Sequence, residues 1–490
     1  MALPLTLNGR RKKELSEAVN PGTLSAPMQQ VNVGLIGGGT VGGGVFRALQ
    51  RNAPLMASRL GARISVAKIA VRDPKKARAI PFPASLLTSR WEEIVRDPRV
   101  NLVVELIGGT TTARTIILRA LAAGKSVVTA NKALLSAHGE ELFVASQQYG
   151  ANLYYEASVG GGIPIIKVVR EALIGNRITG IYGIVNGTCN YILTRMKHEG
   201  ADFADVLADA QRLGYAEAEP SLDIDGHDAL HKVGILASLA HGFWVNPKQI
   251  HVEGIRSISR LDIQFAGQLG YTIKLLGVVK LIDRLPSAKE QPPRLKSRKS
   301  PIANRQSPMP HCPPPRVQVS VYPALVPNAQ VLASVNHVFN AIFVRGDVVG
   351  DTLYYGRGAG PDATASAVLS DLADAALDLK CGSQSRIPPF VPHECAGAVL
   401  NMGEVVSRYY VRLSVIDKPG TLAKIAAILG RSKIGISSVI QPEGHEGESV
   451  PLILMIHDAP NAAMARALTA ISRLNVIKAA PTMIRVESFE

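Results

Sequence analysis

Cysteine is scarce in this chain. Its 490 residues hold four, at positions 189, 312, 381 and 395, and no two form a CxxC pair. Spacing this wide excludes a disulfide framework and a structural zinc site, and it points to a reducing, cytoplasmic setting. Long apolar runs are missing as well. No stretch of about 18 uncharged apolar residues exists, so no membrane span is expected. The opening residues make a poor secretory signal, because the apolar stretch is short and the basic cluster follows it. Residues 1–30 read as a disordered leader. Acidic charge is in deficit, with 54 Lys and Arg against 39 Asp and Glu, a net of +15. That excess invites a polyanion partner. Much of it, however, sits in residues 1–30 and 281–316, stretches that read as unfolded, and solvated basic tails account for it without nucleic acid.

What is present is periodic. The runs "VNVGLIG" (31–37), "RISVAKIAV" (63–71), "VNLVVELIG" (100–108) and "KSVVTA" (125–130) read as strands, with a helical stretch at 112–123. Strands alternating with helices predict a doubly wound parallel α/β sheet of Rossmann type over 31–156. From residue 157 to 357 the pattern changes to mixed α+β. Helices are expected near 200–213 and 226–241, and strands at 178–188, 273–282 and 317–326. Residues 284–315 hold nine prolines and little apolar periodicity. They read as a flexible insertion that interrupts one domain. Residues 408–490 follow a βαββαβ order, the ferredoxin-like arrangement.

"GLIGGGTVGGGV" (34–45) places Gly37, Gly39 and Gly42 between a strand and a helix. This spacing permits a tight turn, a close backbone approach to a pyrophosphate and close helix packing, so it predicts a dinucleotide site. The helix start, with Thr40 and Val41, offers free N–H groups to phosphate. The second strand runs into "AVRDPKKAR", where Arg72 leads a basic patch. A base there favours the 2′-phosphate of NADP; NAD is the alternative. "YEASVGGGIPII" (155–166) carries one carboxylate, Glu156, before a glycine-rich turn. One carboxylate with backbone carbonyls suits a hard cation of low charge; a plain tight turn reads equally well.

"SLDIDGHDALHKVG" (221–234) crowds charge at the mouth of an apolar helix. Asp225 or Gly226 could cap it. Asp228 and Lys232 stand at i and i+4, on one face, with His231 about 100° round. A lysine beside a carboxylate at a cleft can move a proton; an exposed ion pair is the plain alternative. Glu217 and Glu219, just upstream, would add negative charge for a small zwitterion.

These motifs, with "VVELIGGTTTARTIILRALAAGKSVVTANKALLS", "VNGTCNYILTRM" and "NAIFVRGDVVGDTLYYGRGAG", resemble the monofunctional bacterial homoserine dehydrogenases that carry a C-terminal ACT domain. The resemblance spans about 31–280 and 317–488. It implies NAD(P)-dependent interconversion of L-aspartate 4-semialdehyde and L-homoserine in the biosynthesis of threonine, methionine and isoleucine. By this resemblance Lys232 is the acid/base and Asp228 orients it. Glu217 and Lys132 bind substrate. Lys132, Glu217, Gly214 and Gly358 adjoin the cofactor, with a helix at 363–378 returning to complete the nucleotide domain. Glu156, Val159, Gly161 and Ile163 hold a monovalent cation, sodium or potassium. The terminal unit implies feedback by an amino-acid effector, threonine, and assembly as a homodimer or homotetramer. Another amino-acid dehydrogenase, or a non-catalytic amino-acid sensor on this fold, is the competing expectation.

Overall fold

A computed structural model describes residues 28–282, 315–383, 386–393, 397–442 and 448–489. Residues 1–27 of the expected leader and 284–314 of the expected insertion lie outside them. Gln29 and Gln30, expected in the leader, already belong to the first strand.

The N-terminal sheet joins β1 (Gln29–Ile36), β2 (Ala62–Ala70), β3 (Leu87–Thr88), β4 (Leu102–Glu105), β5 (Ser126–Thr129) and β6 (Leu153–Tyr154). All pairs are parallel, in the order β3-β2-β1-β4-β5-β6. This is the doubly wound order, with its switch point between β1 and β4, where ligands of such sheets bind. The helices α1 (Thr40–Leu60), α2 (Trp91–Arg96), α3 (Thr111–Ala122) and α4 (Lys132–Tyr149) connect the strands. Every residue of β4 and β5 is buried, as expected of central strands covered on both faces.

The second sheet has eleven strands. Its first half contains β7 (Ile178–Ile184), β8 (His251–Val252), β9 (Tyr271–Ile282), β10 (Arg316–Pro327), β11 (Phe339–Gly346) and β12 (Gly350–Arg357). The helices α5 (Gly187–Glu199), α6 (Phe203–Arg212), α7 (His227–His241) and α8 (Arg260–Gln268) belong to this region. After β12, α9 (Pro361–Cys381) returns to the N-terminal sheet and packs on α1. There the backbone of Pro361 lies so close to Gly44 that a Cβ would sit 2.8 Å from its carbonyl oxygen. Arg47 of α1 pairs with Asp362 at 2.8 Å.

The C-terminal βαββαβ segment comprises β14 (Val406–Ile416), α10 (Thr421–Arg431), β15 (Ile436–Ile440), β16 (Ser449–Pro460), α11 (Asn461–Ser472) and β17 (Ile477–Val486), following the short β13 (Ala398–Val399). The sequence pattern marks this segment off as a unit of its own. The structure instead extends the second sheet into it, through Ala324↔Arg485 and Leu325↔Val486 of β10 and β17. Ionic contacts weld the junction. Arg412 donates to both oxygens of Asp262, at 2.7 and 3.0 Å, and Tyr410 adds a third bond at 3.1 Å. Arg485 donates to both oxygens of Glu253, at 2.8 and 3.0 Å. Lys280 reaches Glu487 at 2.6 Å. Among the described residues, no helix is long and apolar enough to cross a membrane.

Two expected outcomes test the weld. Asp262 is fully buried, so Arg412→Met strands a carboxylate and should cost about 3–5 kcal/mol in denaturant unfolding. A loss below about 1 kcal/mol would refute the contact's burial. Burial alone raises the Glu253 carboxyl, but hydrogen bonds from His251 and Arg485 more than reverse this and pull it down to about 2. Its folded value is below the ordinary 4.5. Its stability contribution is therefore complete above that ordinary value and is lost as pH falls toward 2. Glu253→Gln should flatten this part of the acid-unfolding curve, and an unchanged slope would contradict the assignment.

Candidate functional site

The glycine turn sits at the switch point. β1 ends at Ile36, and Gly37 turns the chain with φ 114°, a conformation that favours glycine. A Cβ on Gly42 would lie 2.0 Å from the Gly37 carbonyl, so the helix packs against the turn only because none is there. Gly39 is the N-cap of α1. No acidic residue occupies the first turn, and nothing lies within 4 Å of where its side chain would start. The exposed N–H end of a 21-residue helix is thus left open to an anion. Thr40 is exposed there. Arg72 is exposed just past β2, beside exposed Lys75 and Lys76. The Asp73 carboxylate is tied back to the Lys75 amide at 2.9 Å.

Next to this turn opens a cleft of about 390 Å³, walled by Val41, Lys132, Glu217, Asp228 and His231 among others. Asp228 is its electrostatic centre. One oxygen takes the Lys232 ammonium at 2.7 Å, and the other meets Lys132 at 3.1 Å. The Asn186 amide adds a bond at 3.0 Å and also holds Asp223 at 2.8 Å. Burial alone would raise the Asp228 carboxyl, but the two lysines overcome it and hold it well below the usual carboxylate range. Lys232 also donates to the Val185 carbonyl at 2.6 Å and is only 8% exposed. It therefore stands behind Asp228, whereas Lys132 faces the cleft directly.

Local sequence explains these positions. Gly226, with φ 87°, caps α7, and the Asp225 side chain instead pairs with Arg256. One helical turn then brings Asp228 and Lys232 to the same face. His231, about 100° round the helix from Lys232, also lines the cleft wall. Burial outweighs the pull of Asp228 and keeps its imidazole below the ordinary value. Asn131 caps α4 by accepting from the Leu134 amide at 3.1 Å, and it donates to the Gly109 carbonyl at 2.7 Å. That fixes Lys132 at the helix start.

Several residues of the site escaped sequence reasoning. Glu105 is fully buried at the end of β4. It accepts from Thr129 Oγ1 at 2.7 Å and from the Ile107 amide at 2.8 Å, so it braces the loops after β4 and β5. Burial outweighs these bonds and raises its carboxyl. A lone acid within "LVVELI" was the available signal. For Asn131 and Asn186 the signal was an asparagine just ahead of a helix.

Other expected residues lie around the cleft or away from it. Glu156 is buried, and its two oxygens accept from the Ile166 and Lys167 amides at 2.9 Å each. Burial, opposed by those bonds, pushes its carboxyl up to about 7. Val159, Gly161 and Ile163 form the following turn and are buried with it. This turn abuts Gly358: a Cβ on Gly161 would lie 2.4 Å from the Gly358 carbonyl, and the Gly162 amide donates to Arg357 at 3.0 Å. No cluster of three or more His, Cys, Asp or Glu side chains suited to a metal occurs among the described residues. Carbonyl oxygens would thus dominate any ion site here. Gly214, expected beside the cofactor, is exposed past the end of α6 and does not line the cleft. Gly214 turns the chain at φ 75°, and Glu217 and Glu219 downstream of it line the cleft.

Comparison with known proteins agrees with this geometry. Residues 37–156 match a family profile described as the NAD binding domain of homoserine dehydrogenase, and 164–373 match the homoserine dehydrogenase profile itself. The homoserine dehydrogenases of Neisseria gonorrhoeae and Pseudomonas aeruginosa are each 40% identical, covering 94% of this chain and 99% of theirs. A crystal structure of a homoserine dehydrogenase from Thiobacillus denitrificans aligns with a TM-score of 0.83 at 40% identity, over 94% of this chain and 99% of that one. A hyperthermophilic archaeal homoserine dehydrogenase in complex with NADPH aligns at 0.55 and 25% identity, over 71% of this chain and 98% of that one. A glycine turn at a Rossmann switch point, opening on a cleft with both charge signs, therefore belongs to an NAD(P)-dependent oxidoreductase acting on the CH–OH group of homoserine, and the chain is a member of the homoserine dehydrogenase family.

Proposed function

We propose that Lys232 is the acid/base of this enzyme, that Asp228 positions it, and that NADP is the preferred dinucleotide. The observation that carries the proposal is the Asp228 carboxylate held between Lys232 and Lys132 at the cleft wall. A nicotinamide dinucleotide held at the glycine turn would supply the hydride chemistry that interconverts aldehyde and alcohol. The oxygen that develops charge during reduction needs a proton and a nearby cation. Lys232 supplies the proton, and Lys132 steadies the charge. Glu217 holds the substrate's ammonium group. Asp228 keeps both lysines in register without quenching either, because each retains N–H groups beyond the one it spends on the carboxylate. A second reading gives the proton to Lys132, and its support is that Lys132 faces the cleft whereas Lys232 stands one layer behind.

The preference for NADP rests on exposed Arg72, Lys75 and Lys76 past β2, on the engagement of Asp73 within its own loop, and on the NADPH-bound archaeal relative. A monovalent cation fits the Glu156 turn, where one buried carboxylate adjoins the backbone of Val159, Gly161 and Ile163. The cation would fix that turn against Gly358. The C-terminal unit is an ACT-type regulatory domain for threonine, as its βαββαβ order suggests. The exposed Val348, Val349 and Tyr355 of the β11–β12 hairpin suit assembly into a homodimer or homotetramer, and the cytoplasm is the proposed setting.

Lys232→Met leaves Asp228 paired to Lys132, so the enzyme should fold and bind nucleotide normally. Its kcat should fall by about 10²–10⁴-fold, read as absorbance at 340 nm with homoserine. If Lys132→Met shows the larger kcat loss and Lys232→Met shows almost none, the second reading holds. Arg72→Ala should raise KM for the 2′-phosphorylated dinucleotide about tenfold and leave that for NAD unchanged, reflecting one charge-assisted hydrogen bond. Equal effects on both would overturn the preference for NADP.

A further inference from the structure

The loops after β4 and β5 leave adjacent parallel strands side by side, at the end of the sheet where ligands bind. Each supplies part of the cleft wall. Leu106, Gly108 and Gly109 come from the first loop, and Ala130, Asn131 and Lys132 from the second. Between them lies Glu105, the last residue of β4, with no exposed surface. The donors that meet its carboxylate are neutral amides and a hydroxyl. A carboxylate sunk this deep without an ion pair serves stability poorly, and an apolar side chain would serve it better. What the carboxylate adds is a fixed place for each of its donors.

Those donors close a ring. One oxygen accepts from the Ile107 and Gly108 amides, at 2.8 and 3.3 Å. The other accepts from Thr129 Oγ1 at 2.7 Å. The Thr129 hydroxyl, its proton spent, accepts from the Asn131 amide at 3.1 Å. The Asn131 side chain crosses back and donates to the Gly109 carbonyl at 2.7 Å. The ring is anchored on two sides. On one, the Leu106 amide donates to Ile36 at 2.8 Å, and a Cβ on Gly37 would lie 2.7 Å from the Leu106 carbonyl oxygen. The loop is therefore seated against the glycine turn. On the other, Asn131 caps α4, and Lys132 is the first residue of that helix. Gly108 and Gly109 both have positive φ, 72° and 73°. Two such glycines in succession have little stiffness of their own, so the turn depends on being held from outside.

We propose that Glu105 is a positioning residue of the reaction: its ring fixes the spacing between the glycine turn, where the dinucleotide is seated, and Lys132. The proposal rests on Lys132 acting at the substrate oxygen. Reduction of the aldehyde needs the dinucleotide seat and the cation that steadies the oxygen in one arrangement. A misplacement of about 1 Å can cost about 100-fold. Lys132 reaches the cleft on a long side chain, so the start of its helix decides where its ammonium can go. The Asp228 contact at 3.1 Å fixes the far end, and the ring fixes the near end. An acid suits this place because N–H and O–H donors alone converge on it. Only an ionised carboxylate accepts from all of them without offering a proton in return. A glutamine would turn its NH₂ group toward one of those donors.

The test uses the full-length enzyme. Thr129→Val keeps the buried shape and removes the hydroxyl, which opens the ring at two bonds. Its kcat with homoserine, read at 340 nm, should fall about 10–100-fold. NADPH affinity, read by the fluorescence of the dinucleotide, should stay near the starting value, because the glycine turn is untouched. Thr129→Ser retains the hydroxyl and should recover most of the lost kcat. Glu105→Gln should lower kcat as Thr129→Val does, and it serves in its place if that variant fails to fold, which thermal melting shows. Combined with Lys132→Met, Thr129→Val should cost nothing further, since groups acting through one another are not additive. A folded Thr129→Val or Glu105→Gln with normal kcat overturns the proposal, whatever its melting temperature. Equal losses in Thr129→Val and Thr129→Ser overturn it too, because packing and not the hydroxyl then matters. So does a Thr129→Val loss that persists in full beside Lys132→Met. These three outcomes leave the role of Lys132 standing. A normal kcat in Lys132→Met alone removes that role, and the proposal with it.

Discussion

The cleft depends on one carboxylate with two cations. Asp228 is largely buried, and a carboxylate removed from water is costly unless it is paired and hydrogen-bonded. Lys232, Lys132 and Asn186 meet that requirement from three different elements: α7, the start of α4, and the N-cap of α5. The same contacts that offset the burial of Asp228 bring the nucleotide-binding sheet and the catalytic sheet together at the cleft. Lys132 belongs to the first of these units and Lys232 to the second. The cleft wall is therefore a charge bridge between domains, and its geometry reports on how they are seated.

That seating is reinforced from the other end. α9 leaves the catalytic half after Gly358 and returns to α1, so the chain crosses between domains twice. The Glu156 turn touches this return path through Gly161 and Gly162, which puts a buried carboxylate close to the hinge between the two sheets. At the opposite edge, Asp262, Glu253 and Glu487 receive Arg412, Arg485 and Lys280 across the junction of the catalytic and C-terminal parts of one sheet. Only two residue pairs of backbone ladder join β10 to β17. Side-chain ionic contacts, more than strand pairing, carry that junction.

Much of this was legible residue by residue. The glycine turn was readable because its causes are local: a strand end, a glycine with positive φ, and a helix start within six residues. The i, i+4 relation of Asp228 and Lys232 was readable for the same reason. Lys132 was not, since nothing in "TANKAL" refers to a carboxylate 96 positions later; it came only through family resemblance. Glu105 and Asn186 were missed because their partners are set by strand order.

The sequence by itself determined the elements whose hydrogen bonds and burial close within a few residues. These are the parallel βα repeats, the open helix N-terminus for a dinucleotide, the paired charges at the head of α7, and the βαββαβ order at the end. Tertiary structure alone decided that two ammonium groups from different domains share a single carboxylate. It alone decided that the C-terminal strands continue the catalytic sheet. The physical reason is that local periodicity fixes which face of an element is apolar. Which charges meet across the remaining faces is fixed only when the sheets are packed and each buried charge must find its counter-ion.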